Sequence, residues 1–344
     1  MRLVVDAMGG DFAPKAPVEG AILYCKETKG KDQVILVGDQ SVIQKELDRH
    51  SRLYLKNIQV VHASSVIEMH DQPTAAIRNK KDSSMVKGIT LYKEGHGDAF
   101  VSAGSTGAQM AASLLILGRI EGVQRPGLGA FLPCEGGVVL LIDVGANAEC
   151  KPMHLLQYGI MGSIFIKQIY GIKNPRIALL NIGEESKKGN ELSIAAHELM
   201  VKSMPNFMGN LEGRDILRGG TDVLITDGFT GNVILKFAES IFEVFGRNFK
   251  RSVGKNLFSL TGALLVRHAF RDMKRNFDYQ EYGGVPLLGI DGISIICHGS
   301  SSAKAIKNAI KVARMMSQEE VNANIHEEIT SRGISWTETQ LSQA

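Results

Sequence analysis

Short apolar runs alternate with longer amphipathic stretches along most of the chain. RLVVDA, QVILVGD, IQVVHA, DAFVSAG, VVLLIDVG, RIALLNIG and DVLITDG are rich in β-branched residues and end in a small or acidic one. Such runs predict strands buried on both faces, where the polar half of the usual alternation disappears. Between them, apolar positions at helical spacing predict helices over 14–29, 40–50, 104–119, 153–171, 190–203 and 301–316. The alternation predicts an α/β fold, a mostly parallel sheet with helices on both faces. No repeat, low-complexity segment or Pro/Gly/Ser linker interrupts it, so residues 1–344 read as a single α/β unit. Ligands of such sheets sit beyond the carboxyl ends of the strands, where the Gly, Asp, Asn and Ser of these segments fall.

From Asn232 to about Phe277 the rhythm changes. NVILKFAESIFEVFGRNFKRSV and NLFSLTGALLVRHAFRDMKRNF predict two long helices turning near Gly254, Lys255 and Asn256, a projecting helical hairpin at about 232–277. Its bend carries Leu257, Phe258, Leu260, Leu264, Leu265 and Val266 among basic residues that include Arg247, Arg251, Arg267 and Arg271, with only Asp272 opposing them. An apolar tip in a basic setting suits an anionic membrane surface, at about 1 kcal/mol per nearby Lys or Arg, or an acidic protein partner. The bland alternative is a dimer interface that buries the leucines.

Composition narrows the classes. A net charge of +3 gives no case for nucleic acid. Cys25, Cys134, Cys150 and Cys297 are far apart and form no CxxC pair, which favours reduced thiols over a disulfide frame or zinc site. The run in MRLVVDAMGG is too short for a signal peptide, and no stretch approaches the ~18 apolar residues of a spanning helix. The expectation is a cytoplasmic protein without a membrane span. Glycine alone is unusual: 37 among 344 residues, about 11% against the usual ~7%.

Those glycines mark the candidate chemistry. VVDAMGGDFAP sets Asp6 and Asp11 around Gly9 and Gly10. VSAGSTGAQMAA passes from strand to helix through Ser102, Gly104, Ser105, Thr106 and Gly107. LIDVGANAEC holds Asp143 and Asn147 around Gly145. NIGEESKKGN offers Lys187 and Lys188. TDGFTGNVILK has Asp227, Thr230 and Asn232 ahead of Lys236, and CHGSSSAKAIKNAI has His298 ahead of Gly299 and three serines. A strand that becomes a helix through small residues leaves backbone N–H groups and a positive dipole end facing whatever lies above the turn. That arrangement suits phosphate. Each turn alone is a weak signal; six of them expected near one crevice are a stronger one. GxxxxGK[ST], GxGxxG after the first strand, HExxH and GxSxG are all missing, so no P-loop, dinucleotide, metal or seryl-nucleophile reading is supported.

VVDAMGGDFAP, SAGSTGA, DVGAN, LLNIGEE, TDGFTGNVILK, YGGVPLLG and HGSSSAKAIKNAI, in this order between residue 2 and about 315, resemble the bacterial phosphate acyltransferases, the fatty acid/phospholipid synthesis family PlsX. The resemblance implies conversion of acyl-(acyl carrier protein) and inorganic phosphate into acyl-phosphate and free carrier protein, for phospholipid synthesis. It implies no cofactor and no metal, a homodimer, and a fold like that of phosphotransacetylases and isocitrate/isopropylmalate dehydrogenases. It also implies peripheral association with the inner face of the membrane. This chain has Ser105 where that family usually carries Asn.

Acyl transfer from a thioester to phosphate requires an oriented phosphate, a stabilised oxyanion and a leaving thiolate. A thiol with a pKa near ~8.5 leaves readily, so direct attack by phosphate suffices. Phosphate positioning falls to Ser102, Gly104, Ser105, Thr106 and Gly107, with Lys187 or Lys188 and Lys236 as charges. Asn232 and His298 are the candidates to polarise the carbonyl or move a proton. Asp6, Asp143, Asn147 and Asp227 read as residues that order the loops. Lys236 reads equally as a solvated helix lysine, and Cys150 as a small apolar residue rather than an acyl-carrying nucleophile. Three rivals remain: a phosphotransacetylase acting on acyl-coenzyme A, a decarboxylating NAD-dependent dehydrogenase, and a membrane scaffold without catalysis.

Overall fold

A computed structural model describes residues 1–253 and 282–332. Eleven strands form one mixed sheet: β1 (Arg2–Asp6), β2 (Gln33–Gly38), β3 (Ile58–His62), β4 (Ala99–Ser102), β5 (Gly127–Cys134), β6 (Gly137–Ile142), β7 (Ile177–Asn181), β8 (Phe207–Glu212), β9 (Val223–Ile225), β10 (Val285–Leu288) and β11 (Ser294–Ile296). Their order across the sheet is β3-β2-β1-β4-β11-β10-β5-β6-β9-β7-β8. The first five in that order are mutually parallel. β10 is antiparallel to both β11 and β5, and β5 is antiparallel to β6. β6, β9, β7 and β8 are again mutually parallel. The sheet therefore reverses at its centre, and its two halves run in opposite directions.

The inner strands bury both faces, and their period of two decides which residue goes where; β3, expected to be buried, and β8 lie at the sheet edges and are only partly covered. Leu3 and Val5 of β1 enter one apolar core while Val4 enters the other, and all three are fully buried. Leu140 and Ile142 of β6 likewise part from Val139 and Leu141. The first core is covered by α1 (Lys15–Glu27), α2 (Gln40–Leu47), α6 (Pro152–Tyr170), α7 (Glu191–Ser203), α9 (Ala303–Gln318) and α10 (Val321–Ser331). The second lies under α3 (Pro73–Asn79), α4 (Ser84–Lys93), α5 (Thr106–Ile116) and α8 (Gly228–Val253).

The seven predicted strands and the six helices predicted between them are present, with ends shifted by a few residues. β5, β8, β10 and β11 were not legible as strands. GLGAFLPC in β5 carries Gly127, Gly129 and Pro133, which disfavour a strand locally. They are tolerated because a hairpin with β6 holds the register from Gly129–Ile142 to Cys134–Gly137, and because Tyr158 and Ile142 press close against Gly127. The first helix of the expected hairpin lies within α8. Its tip and return, with Leu257, Phe258, Leu260, Leu264, Leu265, Val266, Arg267 and Arg271, lie outside the described residues. Among the described residues no helix is long and apolar enough to cross a membrane.

α1 and α9 pack side by side through Gly20. A Cβ there would lie 2.6 Å from Ile306 Cβ and 2.9 Å from the Ala303 carbonyl oxygen. Ile306 is β-branched and cannot swing aside. Gly20→Ala gains about 1 kcal/mol of helix propensity but overpacks this contact by about 1–3 kcal/mol. Urea unfolding is expected to give a lower midpoint with an unchanged slope, so the packing term outweighs the propensity term.

Candidate functional site

The predicted site residues fall into two crevices. Each crevice forms where neighbouring parallel strands send their helices to opposite faces of the sheet, the arrangement that opens ligand sites in α/β proteins.

The first lies beyond β1, β4 and β11. α1 and α9 leave toward the first core and α5 toward the second. Buried Asp6 organises this end: Oδ1 accepts the Met8 N–H at 3.0 Å, and Oδ2 accepts Ser102 Oγ at 2.7 Å. Ser102 Oγ in turn accepts the Gly104 N–H at 2.9 Å. Burial pushes the Asp6 carboxyl above its ordinary range, against the hydrogen bonds from Ser102 and Met8. Gly9 is required because a Cβ would sit 2.6 Å from Asp6 Oδ2 and 2.7 Å from the Gly104 nitrogen. The Asp11 N–H bonds the Gly299 carbonyl at 2.8 Å, joining the third turn to the first. Ser105 caps α5, its Oγ accepting the Ala108 N–H, and Thr106 and Gly107 lie exposed at the helix start. Ser302 caps α9 in the same way. His298 is exposed at the rim. Its Nδ1 accepts the Ser300 N–H at 3.2 Å and lies 2.8 Å from Ser300 Oγ, so the neutral ring carries its proton on Nε2.

The second crevice lies beyond β6, β7 and β9, with α6 and α7 on one face and α8 on the other. Asp143 is fully buried and ties its parts together. Oδ1 accepts N–H groups from Leu128, Gly145 and Ala146 at 3.1, 3.1 and 2.9 Å, and Oδ2 that of Asn147 at 2.7 Å. Burial pushes this carboxyl up too, with the bonds from Ala146, Asn147 and Leu128 opposing. Asn147 Nδ2 reaches the Pro126 carbonyl and Tyr158 Oη at 2.7 and 2.8 Å. Asp227 caps α8 through the Thr230 N–H at 2.9 Å and Oγ1 at 2.7 Å. Gly231 has no room for a Cβ, which would meet the Asp143 carbonyl oxygen. Exposed Asn232 lies over Gly145, whose φ of 136° keeps that backbone open. Lys187 and Lys188 are exposed in the β7–α7 loop, which Asn181 holds by donating to the Lys188 carbonyl at 2.9 Å.

The single crevice expected from the sequence is therefore two within one chain. β4 and β6 are four strand spacings apart, about 19 Å along the sheet. Because the halves run in opposite directions, the two sets of strand ends also lie on opposite edges. No lysine of the second crevice reaches Ser102 of the first. Lys236 is exposed and pairs with Glu239 at 2.8 Å along α8, an interaction worth about 0.3–0.5 kcal/mol and easily exchanged. Burial pushes the Cys150 thiol up to about 11, which keeps it protonated at neutral pH. Among the described residues no group of three His, Cys, Asp or Glu could hold a metal ion. Gly299 and Tyr158 are structural members of these sites that no local sequence signal assigns to Asp11 or Asn147.

Residues 1–324 match the model of a family described as fatty acid synthesis protein. The chain is 48% identical over 331 residues to the phosphate acyltransferase of Pelotomaculum thermopropionicum, covering 96% of this chain and 94% of that protein. It is 50% identical over 314 residues to the phosphate acyltransferase of Desulforamulus reducens, covering 91% and 93%. Its fold is similar to EutD phosphotransacetylase from Staphylococcus aureus, with a TM-score of 0.60, 15% identity and coverage of 92% and 94%. A phosphotransacetylase from Streptococcus pyogenes gives a TM-score of 0.58 at 17% identity, covering 93% and 94%.

Ser105 caps α5 through its Oγ, and Ser and Asn cap helices about equally well. Ser105→Asn is expected to leave stability and activity unchanged, whereas Ser105→Ala should cost about 1 kcal/mol in urea unfolding.

Proposed function

The chain belongs to the fatty acid synthesis protein family and is an acyltransferase, and on that premise we propose that it moves the acyl group of acyl-(acyl carrier protein) to inorganic phosphate. The observation that carries this reading is the first crevice, where the starts of α1, α5 and α9 meet around Gly9, Gly104 and Gly299. Its donors are fixed before any ligand arrives, so an anion there incurs little reorganisation.

A phosphate oxygen attacks the thioester carbonyl carbon, the tetrahedral intermediate collapses, and the C–S bond breaks. The proton of hydrogenphosphate ends on the departing thiolate, giving acyl-phosphate and the free carrier thiol. His298, whose Nε2–H lies at the rim of the phosphate turns, is the candidate to hydrogen-bond the thiolate as it departs and takes up that proton. Asn232 polarises the carbonyl, and Lys187 with Lys188 offsets the charge that develops. Phe229, Val233 and Phe237, exposed at four-residue spacing along α8 beside Asn232, offer an apolar track for the acyl chain. The basic tip carrying Arg267 and Arg271 takes the acidic carrier protein and an anionic membrane surface, an assignment that rests on sequence.

Reacting atoms must approach to about 3–3.5 Å, so the two crevices of one chain cannot serve one reaction across four strand spacings. We therefore assign the complete site to a homodimer in which the first crevice of one copy faces the second crevice of its partner.

Two measurements test this. Purified protein with palmitoyl-(acyl carrier protein) should yield acyl-phosphate by mass spectrometry only when inorganic phosphate is added. No product beside an active control enzyme would sink the transfer reading and favour the scaffold. Coenzyme A thioester outcompeting the carrier protein would shift it to a phosphotransacetylase. If His298→Ala and Asn232→Ala are each inactive, coexpressing them should restore about a quarter of wild-type activity, because half the dimers then hold one intact site. No restoration would place both residues in one chain's site.

A further inference from the structure

Residues 64–83, between β3 and α4, touch both sides of the first crevice. A Cβ built at Gly299 would lie 2.7 Å from Met69 Cε, and one at Gly107 would lie 3.2 Å from Pro73 Cγ. Gly299 precedes α9, which leaves toward the first core, and Gly107 opens α5, which leaves toward the second. A segment in contact with both spans the crevice rather than lining one wall.

The segment is braced as a unit. At its neck Ser65 pairs with Ser83, and Asp82 Oδ2 accepts the Ser64 N–H and Oγ at 2.9 and 2.5 Å. Across its middle, Lys80 Nζ donates to the Val66 carbonyl at 3.0 Å and to Asp71 Oδ2 at 2.5 Å. The same carboxylate oxygen accepts the Glu68 N–H at 2.8 Å. The turn that presents Met69 is thus wound around Asp71, and Lys80 ties it to the base of α3. The Lys80 bond, with that from Glu68, holds the Asp71 carboxyl below its usual range.

We propose that residues 64–83 form a fixed roof over the phosphate turns, in which Met69 bounds the space above Gly299 and Lys80 is a positioning residue for it. This rests on the assignment of phosphate to the first crevice. A roof that limits water around bound phosphate strengthens every donor beneath it. It also protects the thioester from water, whose attack would release free fatty acid and carrier thiol in place of acyl-phosphate.

The test compares wild type with Lys80→Met, Lys80→Arg and Met69→Ala by steady-state kinetics and mass spectrometry. Lys80→Met is expected to raise the phosphate KM about tenfold with kcat within about twofold, and Lys80→Arg to recover most of that loss. Met69→Ala is expected to raise the ratio of free fatty acid to acyl-phosphate severalfold. An unchanged phosphate KM in Lys80→Met, equal failure of Lys80→Arg, or an unchanged product ratio in Met69→Ala would overturn the roof. Hydrogen exchange separates this from the transfer reading: inorganic phosphate alone should slow exchange across residues 64–83 of the wild-type protein. Slowed exchange without acyl-phosphate formation keeps the roof and rejects the transfer, while active enzyme with unchanged exchange does the reverse.

Discussion

The governing constraint is that the inner strands of this sheet are buried on both faces, only the edge strands β3 and β8 being partly exposed. Leu3, Val4 and Val5 are all fully buried although alternate residues point in opposite directions. A charged side chain on either face of a central strand would lose hydration on the scale of several kcal/mol without a partner. Polar chemistry is therefore confined to the strand ends. There the helices part toward the two faces and the backbone is exposed.

The two strand-end sites repeat one device. Asp6 and Asp143 each follow the apolar part of a strand, each accept an N–H from two residues further on, and each hold a second loop. Burial raises both carboxyls, and the donors around them oppose that cost. The result is a turn whose remaining N–H groups are already aimed. Glycine is needed at Gly9 and Gly231 because the organising carboxylate residue leaves no space for a Cβ. Part of the glycine content thus follows from close packing around buried acids, beside the larger part set by turn geometry.

Direction decides how the two sites relate. β10, antiparallel to both its neighbours, and β5, antiparallel to β6, reverse the sheet at its centre. Without that reversal, the ends of β4 and β6 would share one edge, although still four strand spacings apart. With it, each chain holds two strand-end crevices of different character. One is rich in helix starts and touched on both sides by residues 64–83, and the other carries Asn232, Lys187 and Lys188 beside an exposed apolar helix face.

The sequence by itself determined the fold class, the seven strands built on β-branched runs, most helices and the turns that carry chemistry. Those features are local: β-branched runs, helical spacing, and small residues at strand ends. It did not reveal β5, where Gly127, Gly129 and Pro133 disfavour a strand that hydrogen bonds to β6 and the side chain of Tyr158 make possible. Nor did it reveal that Met69 meets Gly299, two residues far apart in the chain, or that Asp143 holds Leu128, which meet only once β5 and β6 pair as a hairpin. Above all, strand direction has no local signature. The residues of DVGAN and SAGSTGA look alike as turns, and only the antiparallel pairings of β10 and β5 set them on opposite edges of the sheet.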